Sequence, residues 1–284
     1  MITRPRPGHP FFAGAPLLFA HRGGALLAPE NTMEAFRDAV ERWDADVLEM
    51  DVRRTRDGEL VVIHDATVDR TTDGSGAVTD LTWRELSELD AGWSFVDLDG
   101  RHAFRGRGVR VPRFLDVLEA FPSTRMNVDA KDPEMAGDLV RAVQRAGQEY
   151  RVLLASEHGA GRAARWGYTG PTSATANQIR VFYMLHRLPG GGWPYTPRTD
   201  ALQVPYRWEG RQVTTPAFIR EAHRRNLPVH VWTVDEPDVM RRLLTWGADA
   251  IQTDRPDLLA GVLHEETGRP LPRGLDSRAR SADP

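Results

Sequence analysis

The sequence predicts an α/β fold, a (β/α)8 TIM barrel with an irregular insertion after the second βα region. Three observations carry this expectation. Short apolar runs bounded by turn residues alternate with longer segments of helical period, the runs number about eight or nine, and 284 residues suit one barrel domain with tails. An open doubly wound sheet shares the alternation, and the strand count favours the closed form.

Taken in order, residues 1–14 read as an N-terminal extension, 15–267 as the barrel, and 268–284 as a disordered tail with little to bury. The first strand falls over 16–20, and a helix over 32–43 follows with Thr32 or Asn31 as its cap. Strand runs at 47–53 and 60–64 flank Asp57-Gly58, a hairpin signal that makes the pair antiparallel at its far end. Residues 70–110 are rich in Gly, Asp and Arg and contain one helical piece over 82–89, so they read as an insertion covering one end of the barrel. Further strands are expected over 125–130, 152–156, 172–174, 201–204, 229–234 and 250–253. The clearest helices, over 135–146, 216–225 and 237–246, place apolar residues at spacings of three and four.

Composition removes several classes of function. A net charge of −3, from 37 Lys+Arg against 40 Asp+Glu, gives no bulk attraction to nucleic acid or to an anionic membrane. No apolar run reaches the roughly 20 residues that span a bilayer, and the start lacks a secretory pattern, so a cytoplasmic protein with no stable membrane insertion is expected. The absence of cysteine excludes disulfides, thiol catalysis, zinc–thiolate sites and iron–sulfur clusters, leaving oxygen and imidazole as metal donors. Oligomeric state is left open, a homo-oligomer included.

Reactive side chains of a parallel barrel lie at the carboxyl ends of its strands. There the sequence places His21-Arg22-Gly23-Gly24, Glu49-Met50-Asp51, His64-Asp65 and Asn127-Val128-Asp129-Ala130-Lys131. Residues two apart on a strand share a face, so Glu49 joins Asp51, and Asn127 joins Asp129 and Lys131. Glu49, Asp51 and Asp129 offer hard oxygen ligands for one Ca²⁺ or Mg²⁺, Arg22 and Lys131 offer charge to a phosphate, and His21 and His64 bring imidazole, the side chain suited to acid–base work near neutrality. Together they point to metal-assisted phosphoryl transfer. Plainer roles stand beside these: Glu49 and Asp51 pairing with Arg53 and Arg54, Arg22 clamping Glu30, Trp232 in the core, Asp65 capping a turn.

With Pro29-Glu-Asn-Thr32, Thr71-Thr-Asp-Gly-Ser-Gly76, Val231-Trp-Thr-Val234 and Thr253-Asp-Arg-Pro256 added in this order and spacing, nearly the whole chain resembles the glycerophosphodiester phosphodiesterases. The resemblance implies a barrel with an insertion, a divalent metal, and hydrolysis of glycerophosphodiesters such as glycerophosphocholine or glycerophosphoethanolamine to sn-glycerol 3-phosphate and an alcohol. It implies His21 and His64 as the acid–base pair, Arg22 and Lys131 on the phosphate, Glu49 and Asp51 on the metal, and Trp232 as an aromatic wall beside the glycerol. Glu30 then supports His21 and Arg22 from behind or else belongs to the helix cap, and Asp65 supports the inner residues. One departure is visible: the family's Glu-x-Lys is Asp129-Ala-Lys131 in this chain, one methylene shorter.

Three rival readings differ in what they require. Phospholipase D-type cleavage of lysophospholipids or sphingolipids uses the same residues with a greasier entrance, for which Trp83, Trp93, Phe95 and Phe104 are candidates, although the insertion's own core is the favoured place for them. A non-catalytic phosphate- or polyol-binding barrel has no need of two histidines. An aldolase or isomerase needs a Schiff-base lysine or an enediol base, which Lys131 among acids does not offer.

Overall fold

The computed structural model describes residues 9–155, 166–188 and 195–276. Strands β1 (Leu17–Ala20), β2 (Val47–Arg54), β4 (Arg125–Ala130), β5 (Val152–Ala155), β6 (Leu202–Pro205), β9 (Val229–Trp232) and β10 (Ala250–Thr253) run parallel in the order β5-β4-β2-β1-β10-β9-β6. The gap between β5 and β6 is filled by Thr172 and Ser173, which bridge in parallel to Leu154 and Ala201. These eight rungs make a (β/α)8 barrel. β3 (Leu60–Val62) lies outside the ring as the antiparallel partner of β2, as the Asp57-Gly58 signal requires, and β7 (Arg207–Trp208) pairs antiparallel with β8 (Arg211–Gln212) as a separate ribbon.

Helices α1 (Met33–Trp43), α3 (Phe114–Ala120), α4 (Ala136–Arg145), α5 (Ala176–Leu185), α6 (Pro216–His223), α7 (Pro237–Trp246) and α8 (Pro256–Thr267) follow the barrel strands, and α2 (Trp83–Ser87) belongs to the insertion. Their starts are written locally. Thr32, Thr175 and Thr215 accept a hydrogen bond from the amide three residues on, and proline opens α6, α7 and α8, where its missing N–H costs nothing. Strand alternation then sorts the apolar side chains. Leu18, Ala20, Leu48, Met50, Met126 and Val128 face the helices in the main core, whereas Leu17, Phe19, Val47, Leu153, Ala201 and Ala250 fill the barrel floor.

Two boundaries differ from expectation. Residues 9–14 are not a bare extension: Phe11, in a 3₁₀ turn over Pro10–Phe12, is buried among the floor residues, and Arg125 Nη1 donates to the carbonyls of Phe11 and Ala13. Residues 268–276 are not disordered tail either. Arg269 pairs with Asp46 at 2.7 Å, and Gly274, in a helical turn over 273–276, packs so closely on Trp43 that a Cβ would lie 2.3 Å from its ring. Apolar content alone did not reveal this, because an ion pair and a missing side chain make the contact. The part of the tail over 277–284 and Ser156 of the fifth expected strand lie outside the described residues.

The insertion lies in the connection from β2 and β3 to α3. It has its own core of Val61, Ile63, Val68, Val78, Leu86, Ala91, Val109 and Val111, with Trp83 and Phe104 packed against it. Phe95 meets Phe104 edge to face, and Trp93 is exposed with the Arg105 guanidinium over its ring. The insertion's aromatics therefore largely serve its own packing. No helix among the described residues is long and apolar enough to cross a membrane.

Candidate active site

The first strand ends in a strained turn. Arg22 takes φ 50°, followed by Gly23 and Gly24 at φ 85° and 95°, where a Cβ would strike Ala35 and Pro256 at 2.7 and 2.8 Å. Only glycine fits both positions, and the turn directs the Arg22 amide to Glu49 Oε2 at 2.8 Å. His21 stands beside it with Nδ1 2.7 Å from Asp254 Oδ1 and Nε2 3.9 Å from Glu49 Oε2. Burial works against a charged His21 ring, but Glu49 and Asp254 outweigh it and push the imidazole up to about 9.

On β2, Glu49 and Asp51 are both buried and face inward as expected. Neither pairs with Arg53 or Arg54, which bind Asp132 and Asp138. Asp51 is saturated: Lys131 Nζ lies 2.8 Å from Oδ1, Asn31 Nδ2 donates to Oδ2 at 2.9 Å, and Arg22 Nε is 3.3 Å from Oδ2. Burial raises its carboxyl, yet Lys131 and Arg22 prevail and hold it below the usual range. Glu49 goes the other way, pushed up by burial and by the charge of Asp51.

Asp129, in register with Asp51 on β4, accepts from Lys131 Nζ at 2.6 Å, so the ammonium sits between the two aspartates. The outer layer is as ordered. His64 Nδ1 lies 2.7 Å from Asp65 Oδ1, and Glu30 Oε1 accepts from Arg22 Nη1 at 3.0 Å. Against partial burial, Arg70 and His64 hold Asp65 down at about 2, so it does more than cap a turn. Trp232, half-buried at the end of β9, is in register with Pro205. Asn127 turns to the barrel interior and accepts from Gln203 at 3.1 Å.

The structure thus brings His21, Arg22, Glu30, Glu49, Asp51, Asp129 and Lys131 into one connected network at the strand ends. Arg70 joins His64 and Asp65 to it through Glu30. Sequence reasoning did not assign Asp254 to His21, Asn31 to Asp51 or Arg70 to Glu30 and Asp65. Asp254 belongs to Thr253-Asp-Arg-Pro256 and Asn31 to Pro29-Glu-Asn-Thr32, and neither fragment by itself names the partner.

For a divalent cation the donor set fits by charge: three carboxylates share the mouth, and Glu49 is under strain from a like charge. Among the described residues, however, no three His, Asp or Glu side chains are gathered around a single point, because Lys131 occupies the space between Asp51 and Asp129.

Imidazoles, carboxylates and cationic side chains gathered at the carboxyl ends of a (β/α)8 barrel suit the class of barrel phosphodiesterases. More narrowly, residues 21–258 match the Glycerophosphoryl diester phosphodiesterase family, and the chain belongs to it as a glycerophosphodiester phosphodiesterase. It is 36% identical over 257 residues to a probable glycerophosphodiester phosphodiesterase 2 of Mycobacterium tuberculosis, covering 88% of this chain and 91% of the relative. It is 31% identical to the glycerophosphodiester phosphodiesterase of Caldanaerobacter subterraneus subsp. tengcongensis, over 88% and 98% of the two chains. A crystal structure of the Agrobacterium tumefaciens enzyme superposes with a TM-score of 0.69 at 26% identity, over 86% and 99% of the chains. Members of this family are generally metal-dependent.

Proposed function

We propose that this chain hydrolyses glycerophosphodiesters such as glycerophosphocholine or glycerophosphoethanolamine to sn-glycerol 3-phosphate and the free alcohol, with His21 and His64 as the acid–base pair. The observation that carries this reading is the pair of imidazoles, each fixed at Nδ1 by a carboxylate, in a mouth that also holds Arg22 and Lys131. An aspartate on Nδ1 leaves Nε2 to exchange protons with a substrate. Arg22, whose Nη1 donates to Glu30 and whose Nε lies 3.3 Å from Asp51 Oδ2 without a hydrogen bond, brings a guanidinium to the phosphoryl oxygens; Lys131 adds a point charge. Trp232 forms the wall beside the glycerol.

In the first step one imidazole takes the proton of the glycerol 2-hydroxyl, whose oxygen attacks phosphorus. The bond from phosphorus to the alcohol breaks, and that oxygen receives a proton from the other imidazole. Water then opens the cyclic phosphate with the roles reversed, restoring both rings. Glu49, Asp51 and Asp129 are the carboxylates that would hold Ca²⁺ or Mg²⁺ once the Lys131 ammonium leaves the space between the two aspartates, and a bound ion would neutralise charge on the phosphoryl oxygens. A substrate lacking the 2-hydroxyl should be cleaved far more slowly, and comparable rates with no trapped cyclic species would remove this route.

The placement of Trp83 and Phe104 in the insertion core supports a water-soluble diester over a lysophospholipid. The deciding assay is glycerol 3-phosphate release from glycerophosphocholine with Ca²⁺, Mg²⁺ or chelator, alongside His64→Ala. Metal-dependent release that vanishes in the variant is expected. No release with any ion, or equal cleavage of lysophosphatidylcholine, would overturn the substrate assignment.

A further inference from the structure

We infer that Arg70, carried by the insertion, is a positioning residue for the reaction: one guanidinium sets His64 through Asp65 and Arg22 through Glu30. Its Nη1 and Nη2 fork onto Glu30 Oε2 and Oε1, both at 2.7 Å, and its Nε donates to Asp65 Oδ2 at 2.5 Å. Beyond these, Glu30 holds Arg22 Nη1 and Asp65 holds His64 Nδ1. The chain Arg22–Glu30–Arg70–Asp65–His64 therefore links the end of β1 to the segment after β3 through one side chain.

The backbone beneath Arg70 is built to hold it still. Thr67 bridges to Ala77, the Val68 amide donates to Gly76, and Val68 and Thr72 are buried on either side. Gly74 and Gly76 close the loop through the side chains of Thr72 and Asp69. The fragment Thr71-Thr-Asp-Gly-Ser-Gly76, which contributes no group to the chemistry, thereby acquires a function: it is the mount for the residue before it. Arg70 itself is half-exposed and acts only through the two carboxylates. A planar fork that meets two acids at once is a geometry lysine cannot reproduce.

This assignment rests on His64 being a proton-transfer group, so its test reads the ring as well as the rate. Arg70→Lys and Arg70→Ala are compared with the intact enzyme on glycerophosphocholine. The His64 imidazole nitrogens are followed by NMR in all three and assigned with His64→Gln. Both variants should lose about 10- to 100-fold in kcat with KM changed by less than about threefold, and guanidinium ion should restore part of the rate to Arg70→Ala but not to Arg70→Lys. The His64 ring should pass from one Nδ1-protonated tautomer to a mixture. Unmoved His64 signals in Arg70→Lys would overturn the proposal, as would an unchanged kcat, even if the melting temperature fell. Should the intact enzyme release no glycerol 3-phosphate, the function assigned above fails, while the ring signals still decide whether Arg70 sets His64.

Discussion

Asp254 lies 233 positions from His21 in sequence and 2.7 Å from it in space, which is why the sequence exposed one and not the other. Residues that carry their chemistry in their type, such as the histidines and the paired acids of β2, could be placed by alternation along a strand. Residues that matter through a contact, such as Asn31, Arg70 and Asp254, required the closed barrel. Asp254→Asn should reduce kcat/KM about 10- to 100-fold in steady-state assays because His21 loses its fixed orientation, with little loss of folding stability. A rate equal to the parent enzyme's would show that Glu49 alone orients the ring. Asp129 makes a second prediction at this scale. Its side chain is one methylene short of the family's glutamate and is held by Lys131. Asp129→Glu should lower the divalent-ion concentration needed for half-maximal activity several-fold, measured by metal titration of the chelated enzyme; a higher requirement would count against Asp129 as a ligand.

Among the elements, the strands were the most legible, since β4, β10 and helix α7 begin and end where periodicity places them. The eighth rung falls within the strand expected over 172–174, although only Thr172 and Ser173 pair there, through isolated bridges. The part that residues 9–12 play in the barrel floor was not legible. His9-Pro-Phe-Phe12 has neither strand nor helix period, so its burial depends on shape: Phe11 is 1% exposed and meets Phe19 edge to face with ring centroids 6.4 Å apart. Phe11→Ala should therefore cost about 3 kcal/mol or somewhat more, read as a lower urea midpoint. Because the floor is at the opposite end from the strand termini that bear the histidines, kcat should be unchanged. A stability loss below about 1 kcal/mol would return residues 9–14 to the status of an extension.

At the scale of the whole molecule, the barrel carries polar residues between its apolar floor and its reactive mouth, and the pattern Val-His-Val-Trp on β9 gave no warning of the consequence. His230 is fully buried, its ring lies 4.9 Å from that of Phe19 and 5.7 Å from that of Phe12, and its Nε2 has no hydrogen-bond partner among the described residues. Burial drives its pKa down to about 4, with Asp249 opposing only weakly. The folded state thus requires the neutral ring, whereas the unfolded chain protonates near 6.5. Stability from this group is fully present above about pH 6.5 and is lost as pH falls from there toward 4, amounting to about 3 kcal/mol over that window. His230→Phe keeps the ring packing, removes the unpaired nitrogen and removes the titration. Urea unfolding at pH 7 and pH 4 should then show the variant losing about 3 kcal/mol less than the parent between the two, while other acids contribute equally to both. Parallel losses in the two proteins would mean that His230 is already charged in the folded barrel, with its Nε2 paired to a buried water.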